Sequence, residues 1–169
     1  MMQLRDLPTI ETLHKFADRY PEADVSAVSS FLSLLRVAGD LSAALDACLS
    51  RHDLLQGRWW VLILLMREDS KTSTPSILAE KSGVSRATMT GLLDGLEQNN
   101  LVSRVFTKTD RRSIFIKLTE AGQAKLDVVM PDYYSRLRDC MKALSEDDRD
   151  KLQQILNVVN TGAVALLIE

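Results

Sequence analysis

Residues 74–100 carry a series of start and stop signals that few folds can accommodate. Thr74-Pro75 reads as a capping side chain followed by a proline in the first helical turn, where the missing N–H is harmless. Gly83 ends that helix after little more than two turns, as a residue that turns left-handed without strain. Ser85 then caps a second helix, in which Met89, Leu92, Leu93 and Leu96 form an apolar stripe at helical spacing. Asn99-Asn100 closes it, since Asn tolerates the left-handed conformation best after Gly. Two short helices joined by a Gly-containing turn make a helix-turn-helix. Two strands are expected next, 101–106 and 113–118, the second alternating through Ile114, Ile116 and Leu118. The six residues 107–112 join them as a hairpin loop, which completes a winged helix-turn-helix.

The flanks are helical. Apolar residues at Val25, Val28, Leu32, Leu35, Ala38, Leu41, Leu45 and Leu49 keep the 3.6 period of one long amphipathic helix, preceded by a shorter one at about 9–19. Residues 58–66 are apolar almost all round and read as a helix buried on most sides. After the hairpin, Thr119 caps a helix carrying Leu126, Met130, Tyr133 and Leu137, with Pro131 expected to kink it. The acid-rich run 145–148 opens a final helix bearing Leu152, Ile155, Val159, Ala163 and Leu166. The expected fold is mainly α with a small β-hairpin. Its parts are N-terminal helices at 1–52, a winged helix-turn-helix at 53–118 and C-terminal helices at 119–169.

Several function classes drop out. A hydrophobic content of 46% with 26% charged residues suits a folded soluble chain. The longest apolar runs, such as V-L-I-L-L-M at 61–66, are too short to span a bilayer, and the N-terminus lacks the layout of a secretory signal. A cytoplasmic protein without a membrane partner is expected. Cys48 and Cys140 lie far apart in apolar helical patterns and read as buried thiols, and His14 and His52 have no ligand partner one turn away. No nucleotide loop, zincin or nucleophile-elbow motif occurs. No enzyme, cofactor or metal is expected.

The charge is distributed unevenly. Residues 80–117 hold seven cations (Lys81, Arg86, Arg104, Lys108, Arg111, Arg112, Lys117) against four acids, an excess of three on a chain of net charge −2. A basic island on an acidic body suits a protein that meets a polyanion with one face. On the second helix, 100° per residue puts Ala87, Gly91 and Asp94 opposite the apolar stripe, flanked by Arg86, Thr88 and Thr90. A mid-helix Gly costs roughly 1 kcal/mol relative to Ala, and close approach of a ligand to the backbone is one gain that offsets it. The competing explanation is that Gly91 and Gly95 admit a neighbouring helix. A major groove favours small residues mid-helix and donors at the edges, so Ser85, Arg86, Thr88 and Thr90 are candidate DNA contacts. In the loop, Lys108, Arg111 and Arg112 repel one another unless phosphates are the partner. Asp110, two positions before Arg112, is placed to orient that guanidinium for a narrow minor groove.

The order of elements, the stretch S-G-V-S-R-A-T-M-T-G-L-L-D-G-L-E at 82–97 and T-D-R-R-S-I-F-I-K-L-T-E-A-G at 109–122 resemble the MarR family of transcriptional regulators. The resemblance covers about residues 25–168, and its most specific part is Asp110-x-Arg112 followed by Leu118-Thr119-x-x-Gly122. Asn100 departs from the glycine most members carry there. The resemblance implies a homodimer with interlocking N- and C-terminal helices and one winged helix per subunit on a pseudo-palindromic operator in double-stranded DNA. It also implies release by a small aromatic or phenolic compound, or by cysteine oxidation. Trp59 and Trp60, with Arg36, His52 and Arg58 nearby in sequence, are the candidate effector residues. A repressor is the expected function. A winged-helix protein-interaction module and a redox-sensing regulator using Cys48 are the alternatives.

Overall fold

The computed structural model describes residues 6–106 and 114–167. In chain order these form α1 (Ile10–Arg19), α2 (Val25–Ser50), α3 (Gln56–Met66), β1 (Thr72–Ser73), α4 (Pro75–Ser82), α5 (Arg86–Gln98), β2 (Val102–Phe106) and β3 (Ile114–Leu118). Then come α6 (Glu120–Met141), α7 (Glu146–Gly162) and a closing 3-10 turn, Ala163–Leu166. The chain divides into two units, Met1–Lys125 and Leu126–Glu169.

In the first unit the expected caps form. Thr74 accepts from the Ile77 N–H, Ser85 from the Thr88 N–H, and Gly83 closes α4 at φ 64°. Asn100 takes φ 57°, the left-handed conformation expected of it. The core centres on α3, whose Trp59, Val61, Leu62 and Leu65 are buried as it packs on α4, α5 and β3. Leu78 of α4, Met89, Leu93 and Leu96 of α5, and Val102, Ile116 and Leu118 of the sheet are buried too. Truncating any one buried leucine of this set to alanine costs roughly 2–5 kcal/mol. Trp60 departs from the expectation of a helix buried nearly all round, being 39% exposed.

The sheet has the order β1-β3-β2, all antiparallel. β1 escaped the sequence reading: two residues have no periodicity, and this strand exists only through its pairing of Thr72 with Lys117 and Ser73 with Ile116. Val102 and Leu118 are opposite each other at the buried end of the hairpin, and exposure rises along β2 to Phe106. The motif Leu118-Thr119-x-x-Gly122 acquires a physical reason. Thr119 Oγ1 donates to the Asn100 carbonyl at 2.6 Å and accepts from the Gly122 N–H at 2.9 Å. A Cβ on Gly122 would fall 2.1 Å from the Leu101 carbonyl oxygen, so only glycine lets the start of α6 sit against the turn that follows α5.

Of α2 only Cys48 and Leu49 are buried; Val28, Leu35 and Leu41 of its stripe are exposed, and so is Phe31 outside it. By length and composition it could cross a membrane, although no apolar run in the sequence is long enough by itself.

In the second unit, Leu126 and Val129 are buried, and α6 runs through Pro131 to Met141 without a break. α7 begins with a reciprocal capping box between Ser145 and Asp148 and buries no residue. The α-helix stops at Gly162, so Ala163 and Leu166 stand on the 3-10 turn rather than in the last α-helical turn.

Candidate nucleic-acid interface

α5 divides sharply into two faces. Met89, Leu93, Gly95 and Leu96 are buried, while Arg86, Ala87, Thr88, Thr90, Gly91 and Asp94 are exposed. The two glycines have different reasons. A Cβ on Gly95 would lie 2.1 Å from Arg58 Nη2, so this glycine makes room for a guanidinium reaching over from α3. A Cβ on Gly91 would meet nothing within 4 Å. Packing explains Gly95, and nothing in the described fold requires Gly91.

The hydroxyls at the helix start are organised locally. Ser85 Oγ accepts the Thr88 N–H at 3.1 Å and shares a hydrogen bond with Thr88 Oγ1 at 2.9 Å. Thr90 Oγ1 donates to the Arg86 carbonyl at 3.0 Å, which leaves its lone pairs able to accept from a base amino group. The first turn holds no acidic residue. The positive end of the helix dipole is therefore undiminished, with Arg86 beside it. Among the described residues, no carboxylate pairs with Arg86 in an ion pair.

Not all of the expected basic island is available. Lys81 is tied to Glu68 at 2.6 Å, and Lys81 in turn holds the Glu68 carboxyl below its ordinary range. Arg104 bridges Asp94 and Glu97, so its charge is met within the protein. Counting it as a cation open to a polyanion needs correction, because residue counts carry no information about pairing. Its three-point tie to α5 also escaped the sequence reading. The only signal was two acids three positions apart on α5 with an arginine on the next strand.

Lys108, Asp110, Arg111 and Arg112 lie outside the described residues. The candidate effector residues are dispersed. Trp59 is in the core, Trp60 is partly exposed, and His52 is half-buried in the turn after α2. Arg36 pairs with Asp40 one turn along α2, at 3.6 Å. Of the five, Arg58 is placed against α5, beside Gly95. Cys48 is buried as expected, whereas Cys140 is exposed, contrary to its apolar sequence neighbourhood.

A profile of the MarR family matches residues 56–114, from the start of α3 to the start of β3. Over 155 residues the chain is 31% identical to the HTH-type transcriptional repressor YetL of Bacillus subtilis, covering 92% of this chain and 93% of that one. It is 28% identical over 161 residues to the HTH-type transcriptional regulator PecS of Dickeya dadantii, covering 95% and 97%. Two Streptomyces coelicolor MarR family regulators share the fold. AbsC matches with a TM-score of 0.76 at 22% identity over 85% of this chain and 97% of its own. Sco3205, solved in complex with DNA, matches with a TM-score of 0.76 at 22% identity over 83% and 89%. With this fold and a relative of such identity across nearly its whole length, the chain belongs to the MarR family, whose members are transcription regulators and not enzymes.

Proposed function

We propose that the protein is a homodimeric, sequence-specific DNA-binding repressor. It lays α5 in the major groove of a pseudo-palindromic operator and the 107–112 loop in the adjacent minor groove. The outer face of α5 carries this reading. It is exposed and made of small and hydroxyl residues around Gly91, with Arg86 at its electropositive end. Its apolar side chain, the Ala87 methyl, is too small to form the apolar centre of a protein interface. The dimer is supported by the exposed apolar stripes of α2 and α7, which a second copy would cover and which make α2 resemble a membrane span. A cytoplasmic location fits such a regulator.

A small aromatic or phenolic acid is the proposed releasing ligand. Trp60 supplies an accessible ring, and Arg58 supplies a cation already touching α5. A carboxylate that draws Arg58 towards itself changes the support beneath the recognition helix, which can shift the population away from the DNA-binding setting. Burial of Cys48 favours this over oxidation of that thiol.

The direct test is selection of binding sites from random duplex DNA, followed by substitution in the loop. Arg112→Ala should weaken binding strongly. Asp110→Ala should do so as well, although it removes a negative charge. If no duplex is enriched, or if Asp110→Ala binds as well as the wild type, the proposed docking is wrong.

A further inference from the structure

Beyond the packing of β2 on α5, one residue ties the hairpin to that helix by three hydrogen bonds. Arg104 stands in the middle of β2, opposite Ile116 and on the same face as the buried Val102. Its side chain as a whole is 25% exposed. Nη2 donates to Asp94 Oδ1 at 2.6 Å, Nη1 donates to Glu97 Oε2, and the Arg104 backbone N–H donates to Glu97 Oε1 at 3.2 Å. Asp94 and Glu97 are three residues apart and therefore neighbours on one flank of α5. Three points of attachment, one of them backbone, restrain both the distance and the tilt between strand and helix. A single exposed ion pair does little of this, but a planar guanidinium held by two carboxylates at once, with the backbone N–H of the same residue on one of them, holds its geometry.

The same contacts take Arg104 out of the set of groups free to meet phosphate. Its hydrogen bond to Asp94, followed by its interactions with Glu97, pushes an already permanent charge further above its ordinary range. They also keep two carboxylates from presenting bare negative charge beside the exposed face of α5.

We infer that Arg104 is a positioning residue for DNA recognition: it sets the hairpin at one angle to α5, so that helix and wing meet adjacent grooves together. This rests on the DNA-binding reading above. Positioning differs from phosphate contact in what it does to specificity. A phosphate contact contributes on every duplex alike, whereas a misplaced hairpin is felt where several contacts must be made at once.

The test uses the full-length protein, the duplex recovered by selection and a random duplex of equal length. Arg104→Lys keeps the charge but cannot span both carboxylates. It should lose roughly tenfold on the selected duplex and change by less than about twofold on the random one. Arg104→Gln should lose more on the selected duplex, with thermal unfolding recorded to show that the fold persists. If the glutamine variant unfolds, the lysine variant decides alone. The triple variant Asp94→Asn, Glu97→Gln, Arg104→Gln makes the chain one charge more positive. Charge counting expects it to bind more tightly, and positioning expects it to bind more weakly. Binding of either folded single variant to the selected duplex within about twofold of wild type overturns the inference, as does a loss of equal size on both duplexes. A triple variant as tight as the wild type overturns it too. A wild type that enriches no duplex instead defeats the DNA-binding reading itself.

Discussion

α5 and α7 start alike and end in opposite situations. Each is capped by a serine whose Oγ accepts an N–H three residues on, and each presents a largely exposed face. On α5 the exposed face holds Arg86, Ala87, Thr88, Thr90 and Gly91, and a separate stripe of leucines and methionine is buried. α7 buries nothing, and its exposed residues include Leu152, Ile155, Val158 and Val159, the last three at 60%, 73% and 41%. Exposure alone therefore does not identify a partner; the chemistry of what is exposed does. Water tolerates hydroxyls and a bare helix backbone, so the α5 face can wait in solvent for DNA. Full burial of an exposed Val, Leu or Ile side chain is worth about 1.5–3 kcal/mol, and these four have part of that still to gain, so that face has reason to be covered in the resting protein.

The largest effect should come from breaking the α7 side of this contrast. Ile155→Asp puts a charge into the apolar stripe and, in a twofold dimer, does so twice. The dimer dissociation constant should rise by roughly 100-fold or more, read by sedimentation, and operator affinity should fall with it. A chain ending before Ser145 should be monomeric or insoluble. A soluble truncated dimer that still binds DNA would show that the α7 face is merely solvated.

The two helices also differ in how much of them could be read from residue order. The boundaries of α4 and α5 were legible because Thr74, Pro75, Gly83, Ser85 and Asn100 each act through local backbone geometry, which residue order encodes directly. The inner stripe of α5 was legible for the same reason. Three things were not. β1 depends on a partner some 45 residues away. What covers the apolar stripes of α2 and α7 lies on another surface, and a 3.6-residue period looks the same whether its stripe meets its own chain or another. The role of Arg104 depends on a contact that brings β2 to α5, so charge counting misassigned it. The family motif at 118–122 was visible as a pattern, but its cause, the Leu101 carbonyl against Gly122, could be seen only in the folded turn.

On the α5 side, Arg86→Ala should reduce affinity for the best duplex by about 1–3 kcal/mol while changing random-duplex binding far less. Comparing the two duplexes sharpens the contrast, because a base-reading arginine discriminates and a phosphate-binding one does not. An equal loss on both would demote Arg86 to a phosphate contact.

Gly91→Ala separates folding from function at a single position. Nothing lies within 4 Å of the added methyl, so removing the freedom of a mid-helix glycine should stabilise the protein by about 0.5–1 kcal/mol, read from urea unfolding. The same methyl should weaken operator binding, since it occupies the space where the helix backbone approaches the groove. If both stability and affinity rise, close approach is not the reason for Gly91.

The smallest effect concerns the caps, where the resemblance between the two helices ends at low pH. The α5 start rests on the Ser85 and Thr88 hydroxyls, neither of which titrates near or below neutral pH. The α7 start rests on Asp148, whose carboxyl is held below its ordinary range by the Ser145 hydroxyl first and the Ser145 N–H second. Because the folded-state pKa is the lower one, this contribution to stability is complete above the ordinary aspartate value. It is lost as pH falls through the depressed folded value. The group is exposed, so the change is local: the first turn of α7 frays while the first turn of α5 stays closed. An acid titration followed by backbone amide shifts should move the Ser145 N–H with a midpoint below the ordinary aspartate range and leave the Thr88 N–H still. Asp148→Asn should abolish the Ser145 transition. A Thr88 amide that titrates in step with Ser145 would mean that both helices respond to a common unfolding event, and that the two caps are not the independent local structures their chemistry makes them.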